Sequence, residues 1–135
     1  MTDLAIRKIL ESDNALAAIV GAKVYLSYIP QGQEAPLVLC NTVSIDRGLT
    51  KDDDQREELL IDVVSVSDTL KGCKDIDIAV FSLLHHYDGD AVALSSGEAI
   101  KITHSYLVTT RGEYNTEIGY HTIVSTYRVM SDVTL

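Results

Sequence analysis

The length, composition and charge of this chain limit what it can be. Its 135 residues are 46% hydrophobic and 23% charged, values typical of one ordinary globular domain without the ~20 consecutive apolar residues of a membrane span. The formal net charge of −9 disfavours a general affinity for nucleic acid or an anionic membrane, because such binding depends on clustered lysines and arginines. We expect a soluble single domain, residues 1–135, that binds no membrane.

The N-terminal part of the chain predicts two short helices. In "DLAIRKIL" the apolar residues recur at helical spacing, with Thr2 or Asp3 available as a cap. The second segment, "ALAAIV", ends at Gly21, the residue type best suited to the position after a helix. The β-branched and aromatic segments "AKVYLSYI" and "LVLCNTVSI" then predict two strands.

Both prolines of the chain lie in the loop between these two strands. Proline fixes its own backbone and cannot donate to a sheet ladder, so Pro30 and Pro36 bound a connection at which one strand stops and the next begins. Gly32 permits a turn between them. The pattern predicts a stiffened loop that costs little entropy to present to a partner.

The middle of the chain predicts a polar connection, a strand and the strongest helix. Residues 46–58, "DRGLTKDDDQREE", indicate a long connection or hairpin tip, and "LLIDVVSV" a strand covered partly on both faces. After the capping segment "SDT", apolar residues recur at helical spacing. These residues are Cys73, Ile76, Val80, Leu83, Leu84 and Tyr87. We expect Leu83→Ala to cost about 2–5 kcal/mol, and we expect Cys40 and Cys73 to be free thiols in the core.

The C-terminal part predicts strands at "AVAL", "AIKITHSYLVTT" and "IGYHTIVSTYRV", with "RGEYNTE", residues 111–117, as a connection. Alternation in the long strand predicts two faces. One carries Ile100, Ile102, His104, Tyr106 and Val108, and the other carries Lys101, Thr103, Ser105 and Thr109. Because strands follow one another without a helix between each pair, we expect an α+β domain with a mostly antiparallel sheet and helices packed on one face.

Residues suited to catalysis are few. "HHYDGD" holds His85, His86, Asp88 and Asp90, ligand types for a transition metal, but adjacent helical residues point about 100° apart. A polar helix end is the favoured interpretation, and a metal-dependent hydrolase using His85, Asp88 and Asp90 is the enzymatic alternative. The acidic run 52–54 lacks the pattern of a calcium loop. We predict no catalytic residue, no metal and no cofactor.

The order of segments resembles a known family. "ESDNALAAIVGAKVYLSYIPQGQEAPLVLCNTVS" resembles the N-terminal half of the phage tail completion proteins, the tail terminator or tail-to-head joining family. There a short helix, a strand, a Pro-Gln-Gly … Ala-Pro loop and an apolar strand follow in this order. The later segments "LLIDVVSV" and "SDTLKGCKDIDIAVFSLLHH" are also similar to that family, so the resemblance covers nearly the whole chain.

The resemblance implies a structural role in the virion. Family members form a ring, commonly hexameric, at the head-proximal end of the tail tube, where they stop tube polymerisation and offer a surface to the head. The implied partners are copies of the chain itself, the major tail tube protein and the head–tail connector protein. Genomic DNA would pass through the ring without specific binding, and acidic residues 52–54 with Glu57 and Glu58 could line the lumen. Assembly would take place in the host cytoplasm.

We expect the contacts with tail or subunits on three loops, from Pro30 to Pro36, from Arg47 to Glu57 and over residues 111–117, since loops often carry partner specificity. Each could equally be a plain connection. The candidate residues are Pro30, Gln31, Gly32, Asp52, Asp53, Asp54, Arg56, Glu57, Arg111, Tyr114 and Asn115. The alternative function is a small α+β module that binds a protein or ligand outside any virion.

Overall fold

The structure, a computed structural model, describes residues 2–49, 55–115 and 119–134. In these residues it contains three helices and six strands. They are α1 (Thr2–Ser12), α2 (Asn14–Val20), β1 (Val24–Leu26), β2 (Leu37–Leu49), β3 (Gln55–Ser67), α3 (Leu70–Leu84), β4 (Val92–Ala93), β5 (Ala99–Asn115) and β6 (Tyr120–Thr134). None of the described helices combines the length and the apolar character that crossing a membrane requires.

The strands form one mixed sheet in the order β1-β2-β3-β6-β5-β4. The α+β class is correct, but the expected mostly antiparallel sheet under one helical layer is not: β1 pairs with β2 in parallel, the other neighbours are antiparallel, and the sheet is curled. The parallel pair arises because the proline loop, residues 27–36, returns the chain past a strand of only three residues. This connection is shorter than the dozen or more residues that usually join parallel strands and contains no helix.

One cluster of buried side chains joins all three helices to the sheet. The helices contribute Ile6, Ile9, Leu10, Leu16, Val20, Ile76, Val80 and Leu84, and the strands contribute Val24, Val38, Cys40, Leu59, Ile61, Val63, Ile102, Tyr127 and Val129. The contributing β3 and β6 residues are alternate positions, as expected for one face of a strand. Residues between them, such as Glu58, Asp62 and Arg128, therefore lie on the opposite face.

The ends of α2 and α3 are fixed by caps, of which Gly21 and the "SDT" segment were predicted from the sequence and Asp13 was not. Asp13 precedes α2, and its side chain accepts a hydrogen bond from the Leu16 amide at 3.0 Å. Gly21 ends that helix with a φ of +62°, a conformation that favours glycine. Thr69, from the "SDT" segment, accepts from the Gly72 amide at 3.0 Å and begins α3. Each cap satisfies an amide that the helix itself leaves free.

The predicted buried face of α3 is confirmed in most of its residues. Cys73, Ile76, Val80 and Leu84 are buried, whereas Leu83 is only half-buried and packs at the border of the core. α3 ends at Leu84, so Tyr87 packs from the segment after the helix. The large cost expected for Leu83→Ala therefore belongs to Leu84.

The predicted alternation along β5 is wrong beyond Ile102. The register with β6 shifts between Ile102 and His104 and again between Leu107 and Thr109, and each such bulge moves the following side chains to the other face. As a result Ser105 is buried on the core side and His104 is exposed. Because a bulge leaves no composition signal in a strand of mixed polarity, period-two reasoning could not locate it.

Both charged connections are shorter than predicted. β2 and β3 pair from Leu37–Val66 to Leu49–Gln55, so most of residues 46–58 are strand, and residues 50–54 lie outside the described part. β5 continues to Asn115, which places most of "RGEYNTE" in a strand. Charged residues are compatible with these strands because opposite charges pair across the sheet, as Glu58 and Arg128 do at 2.5 Å.

Both cysteines are free and buried, as predicted. Burial raises the pKa of the Cys40 thiol to about 12 and that of Cys73 to about 11. Each therefore stays protonated at neutral pH and packs as a small apolar side chain.

Candidate assembly surfaces

The proline loop is held in place by its own hydrogen bonds. The Tyr25 hydroxyl donates to the Gln33 side chain at 2.7 Å, and the Lys23 ammonium donates to the Glu34 carbonyl at 3.0 Å. Gly32 has a φ of +86°, which explains the glycine. The loop thus presents a defined shape to solvent, with Tyr28 exposed by 71%.

The candidate residues of the proline loop differ in how far they are exposed to solvent. Gln31 and Gly32 are exposed, whereas Pro30 is half-buried. Sequence reasoning missed Tyr28 and Ile29, two apolar side chains exposed just before Pro30. The only sequence feature that could have indicated them is Tyr28 itself, an aromatic residue near the end of a predicted strand.

The antiparallel pair β2 and β3 forms an arm of the sheet, and its candidate residues differ in exposure. Arg56 is exposed and its Nε lies 3.6 Å from Asp132 on β6. Glu57 is only 4% exposed, and its carboxylate accepts a hydrogen bond from the Thr2 amide at 3.1 Å. Glu57 therefore anchors the start of α1 inside this chain, where a partner cannot reach it. The candidates at 52–54 lie outside the described residues.

The arm formed by β5 and β6 carries the third group of candidates. Arg111 lies 3.9 Å from both Asp62 and Glu113. The Tyr114 ring is 53% exposed and lies 4.5 Å from the ring of His121. Asn115 is the last residue of β5. This arm therefore exposes an aromatic ring and a cation that is already near carboxylates.

The three candidate loops lie at two ends of the sheet. Gln55 pairs opposite Val133, so the β2–β3 tip lies beside the C-terminal end of β6. Ser67 pairs opposite His121, which places the β5–β6 tip at the other end, where β2 begins after the proline loop. The proline loop and the β5–β6 arm thus share one end, and the β2–β3 arm occupies the opposite one.

The histidine segment joins α3 to β5. His85 Nδ1 accepts from the Leu107 amide at 3.1 Å, and its ring stacks on Phe81 at 4.6 Å. The Ser105 hydroxyl donates to the Leu84 carbonyl at 2.6 Å and accepts from the Tyr87 amide at 3.0 Å. The arrangement explains these residues as a structural connection at the end of the helix.

The described residues form neither a metal site nor a pocket with converging catalytic groups. Within residues 2–49, 55–115 and 119–134 no group of three His, Cys, Asp or Glu residues could hold a metal ion. A cavity of about 430 Å³ lies between α1, the end of α3 and β4. Three charged residues line its wall: the Lys8 ammonium donates to the Ala93 carbonyl, Asp13 caps α2, and Asp90 is exposed. Lys8 and Asp13 therefore serve the fold.

Exposed apolar side chains form two groups that the sequence did not indicate. Leu4, Val43 and Ile45 lie on α1 and β2 with exposures of 44%, 54% and 42%. Ile78, Phe81 and Val108 lie on α3 and β5 with exposures of 61%, 39% and 49%. Ile78 and Phe81 interrupt the otherwise polar side of α3. This interruption is the only sequence feature that could have indicated an exposed apolar group.

These features define a small α+β domain that offers loops, arms and strand edges to partners. The sequence model of the family described as "Tail completion protein gp17" matches residues 4–132. The chain belongs to this family, as its segment order predicted, and is a structural protein of a phage tail.

The fold has a counterpart among the solved structures. A chain of a structure titled "Virion of native gene transfer agent (GTA) particle" superposes with a TM-score of 0.66 at 20% sequence identity. The alignment covers 96% of this chain and 93% of that one. At this identity the likeness shows the fold. No curated protein matches the sequence.

Proposed function

We propose that this protein forms a ring at the head-proximal end of the tail tube, stops tube polymerisation and joins the tail to the head connector, with no catalytic step. The observation that carries the proposal is the family match over residues 4–132. The partners are further copies of the chain, the major tail tube protein and the connector protein. The virion is the final location, and assembly occurs in the host cytoplasm.

The two ends of the sheet provide two separate surfaces for such a role. A joining ring has to contact the tube on one face and the head on the other. The β2–β3 arm points to one end, and the proline loop with the β5–β6 arm lies at the other. Tyr28 and Tyr114 supply exposed rings at the second end, and aromatic residues are enriched in protein interfaces.

The charge of the chain supports passage of DNA without binding. The net charge is −9, and four of the five arginines, Arg7, Arg56, Arg111 and Arg128, each lie within 3.9 Å of a carboxylate. Phosphate binding needs clusters of cations that carboxylates do not already neutralise. The lumenal position of Asp52, Asp53 and Asp54 stays a prediction.

The ring is tested by the mass of the purified protein in solution. Light scattering over a concentration series is expected to show a closed species of about six subunits, each of 14.8 kDa, whose mass is constant once assembled. The series is repeated with purified tube protein. A mass of one subunit at every concentration, with and without tube ends, would contradict the ring.

A further inference from the structure

One edge of β2 is open over most of its length. β1 covers β2 only from Val38 to Cys40, and β3 occupies the other edge. In the described part of the chain no strand lies beside the remaining stretch, Asn41–Leu49. Val43 is the extra residue of a bulge there and is 54% exposed. An unpaired edge is a template for another strand.

β5 has a similar open edge near its end. β4 pairs only with Ala99 and Ile100. The segment after α3 covers the next part of the edge, since the His86 amide donates to the Ser105 carbonyl and the Leu107 amide donates to His85 Nδ1. From Val108 to Tyr114 every residue is exposed. Val108 lies at a bulge, just as Val43 does on β2.

Neither open stretch contains lysine or proline, two residue types that protect a free strand edge, although each stretch carries one bulge. Exposed apolar side chains lie on the elements near each edge: Ile45 on β2 with Leu4 on α1, which contacts β2, and Ile78 with Phe81 on α3, which contacts β5. Each stretch carries one acidic and one basic residue, Asp46 and Arg47 on β2 and Arg111 and Glu113 on β5, so neither has a net charge that would oppose pairing.

The strand directions fit a head-to-tail contact. Three antiparallel steps separate β2 from β5, so the two strands run in opposite directions. Rotation about an axis near the strand direction would bring β5 of one copy beside β2 of the next in antiparallel orientation, a heterologous contact that can close a ring.

The two open stretches are staggered along the sheet. Asn41–Leu49 lies towards the β2–β3 tip, whereas Val108–Asn115 lies towards the β5–β6 tip. Rotation about the ring axis places the two stretches side by side only if the strands are inclined to that axis. Inclined strands are the rule in closed sheets, where the tilt is typically 35–45°.

We infer that neighbouring copies join through these edges: Val108–Asn115 of one copy pairs with Asn41–Leu49 of the next. Ile78 and Phe81 of the first copy then pack against Leu4 and Ile45 of the second, because α1 and α3 both lie on the core side of the sheet. The inference rests on the proposed ring and names its subunit interface. The occupant of each edge is a second copy of this chain.

The test uses one edge variant on each side. Val43→Lys and Val108→Lys place a charge on an exposed edge residue without touching the core, and Ala18→Lys adds the same charge on an exposed position of α2. By light scattering at a concentration where the wild type is assembled, we expect each edge variant alone to have the mass of one subunit. Ala18→Lys should assemble as the wild type does, and circular dichroism should show all variants folded.

A mixture of the two edge variants gives the sharpest outcome. Val43→Lys keeps an intact β5 edge and Val108→Lys an intact β2 edge, so an equal mixture should form a dimer of twice 14.8 kDa with one copy of each. Assembly of either variant as in the wild type would overturn the inference and leave the ring standing. A wild type that never assembles would instead overturn the ring itself.

Discussion

Replacing Leu84 by alanine is expected to lower the free energy of unfolding by about 2–5 kcal/mol. Leu84 is fully buried in the cluster that joins all three helices to the sheet. The substitution removes apolar contacts there and leaves a cavity that the surrounding strands fill only partly. Urea unfolding followed by circular dichroism measures the loss, provided the transition is two-state.

Leu83→Ala is the matched control, because it deletes the same atoms one residue earlier. Leu83 is half-buried at the wall of the cavity beside α1, so part of its surface is already in solvent and we expect a loss below about 2 kcal/mol. If Leu83→Ala costs as much as Leu84→Ala, the assignment of the α3 face is wrong.

Ser105→Ala is expected to cost about 1–3 kcal/mol, mainly because it leaves polar groups without partners. The buried hydroxyl of Ser105 links the Leu84 carbonyl to the Tyr87 amide, and the Ser105 carbonyl accepts from the His86 amide at 2.8 Å. The variant keeps the last bond but loses both bonds of the side chain. Urea unfolding measures the loss.

Thr103→Ala is the control on the same strand, because Thr103 is exposed and makes one side-chain hydrogen bond, to the Met130 carbonyl at 3.2 Å. We expect it to cost less than about 1 kcal/mol. Hydrogen exchange adds a local readout, since the Tyr87 amide should exchange faster in Ser105→Ala only. Equal stability losses and unchanged exchange at Tyr87 would contradict this role of Ser105.

Local patterns in the sequence predicted the helices well. Gly21, the cap Thr69 and the buried positions Ile76, Val80 and Leu84 follow from side-chain chemistry and helical spacing alone. The sheet was harder, because its bulges and its parallel pair depend on which strands meet. A strand's register is a tertiary property that composition does not encode.

The sequence predicted the exposure of some candidate residues but not of others. Arg111 and Tyr114 are exposed, but they lie on β5 and not in the predicted connection, whereas Glu57 points into the chain because the start of α1 lies over it. The open edges around Val43 and Val108 could not be predicted, since openness is the absence of a neighbouring strand. The role in the virion came from the order of segments, which the family match confirms at the level of a tail protein.

The most direct test of the central proposal is assembly of purified tube protein with and without this protein, followed by electron microscopy. We expect its addition to stop tube growth, shorten the length distribution and place a ring at one end of each tube. Tubes of unchanged length, with no added density at either end, would contradict the proposal that this protein completes the tail.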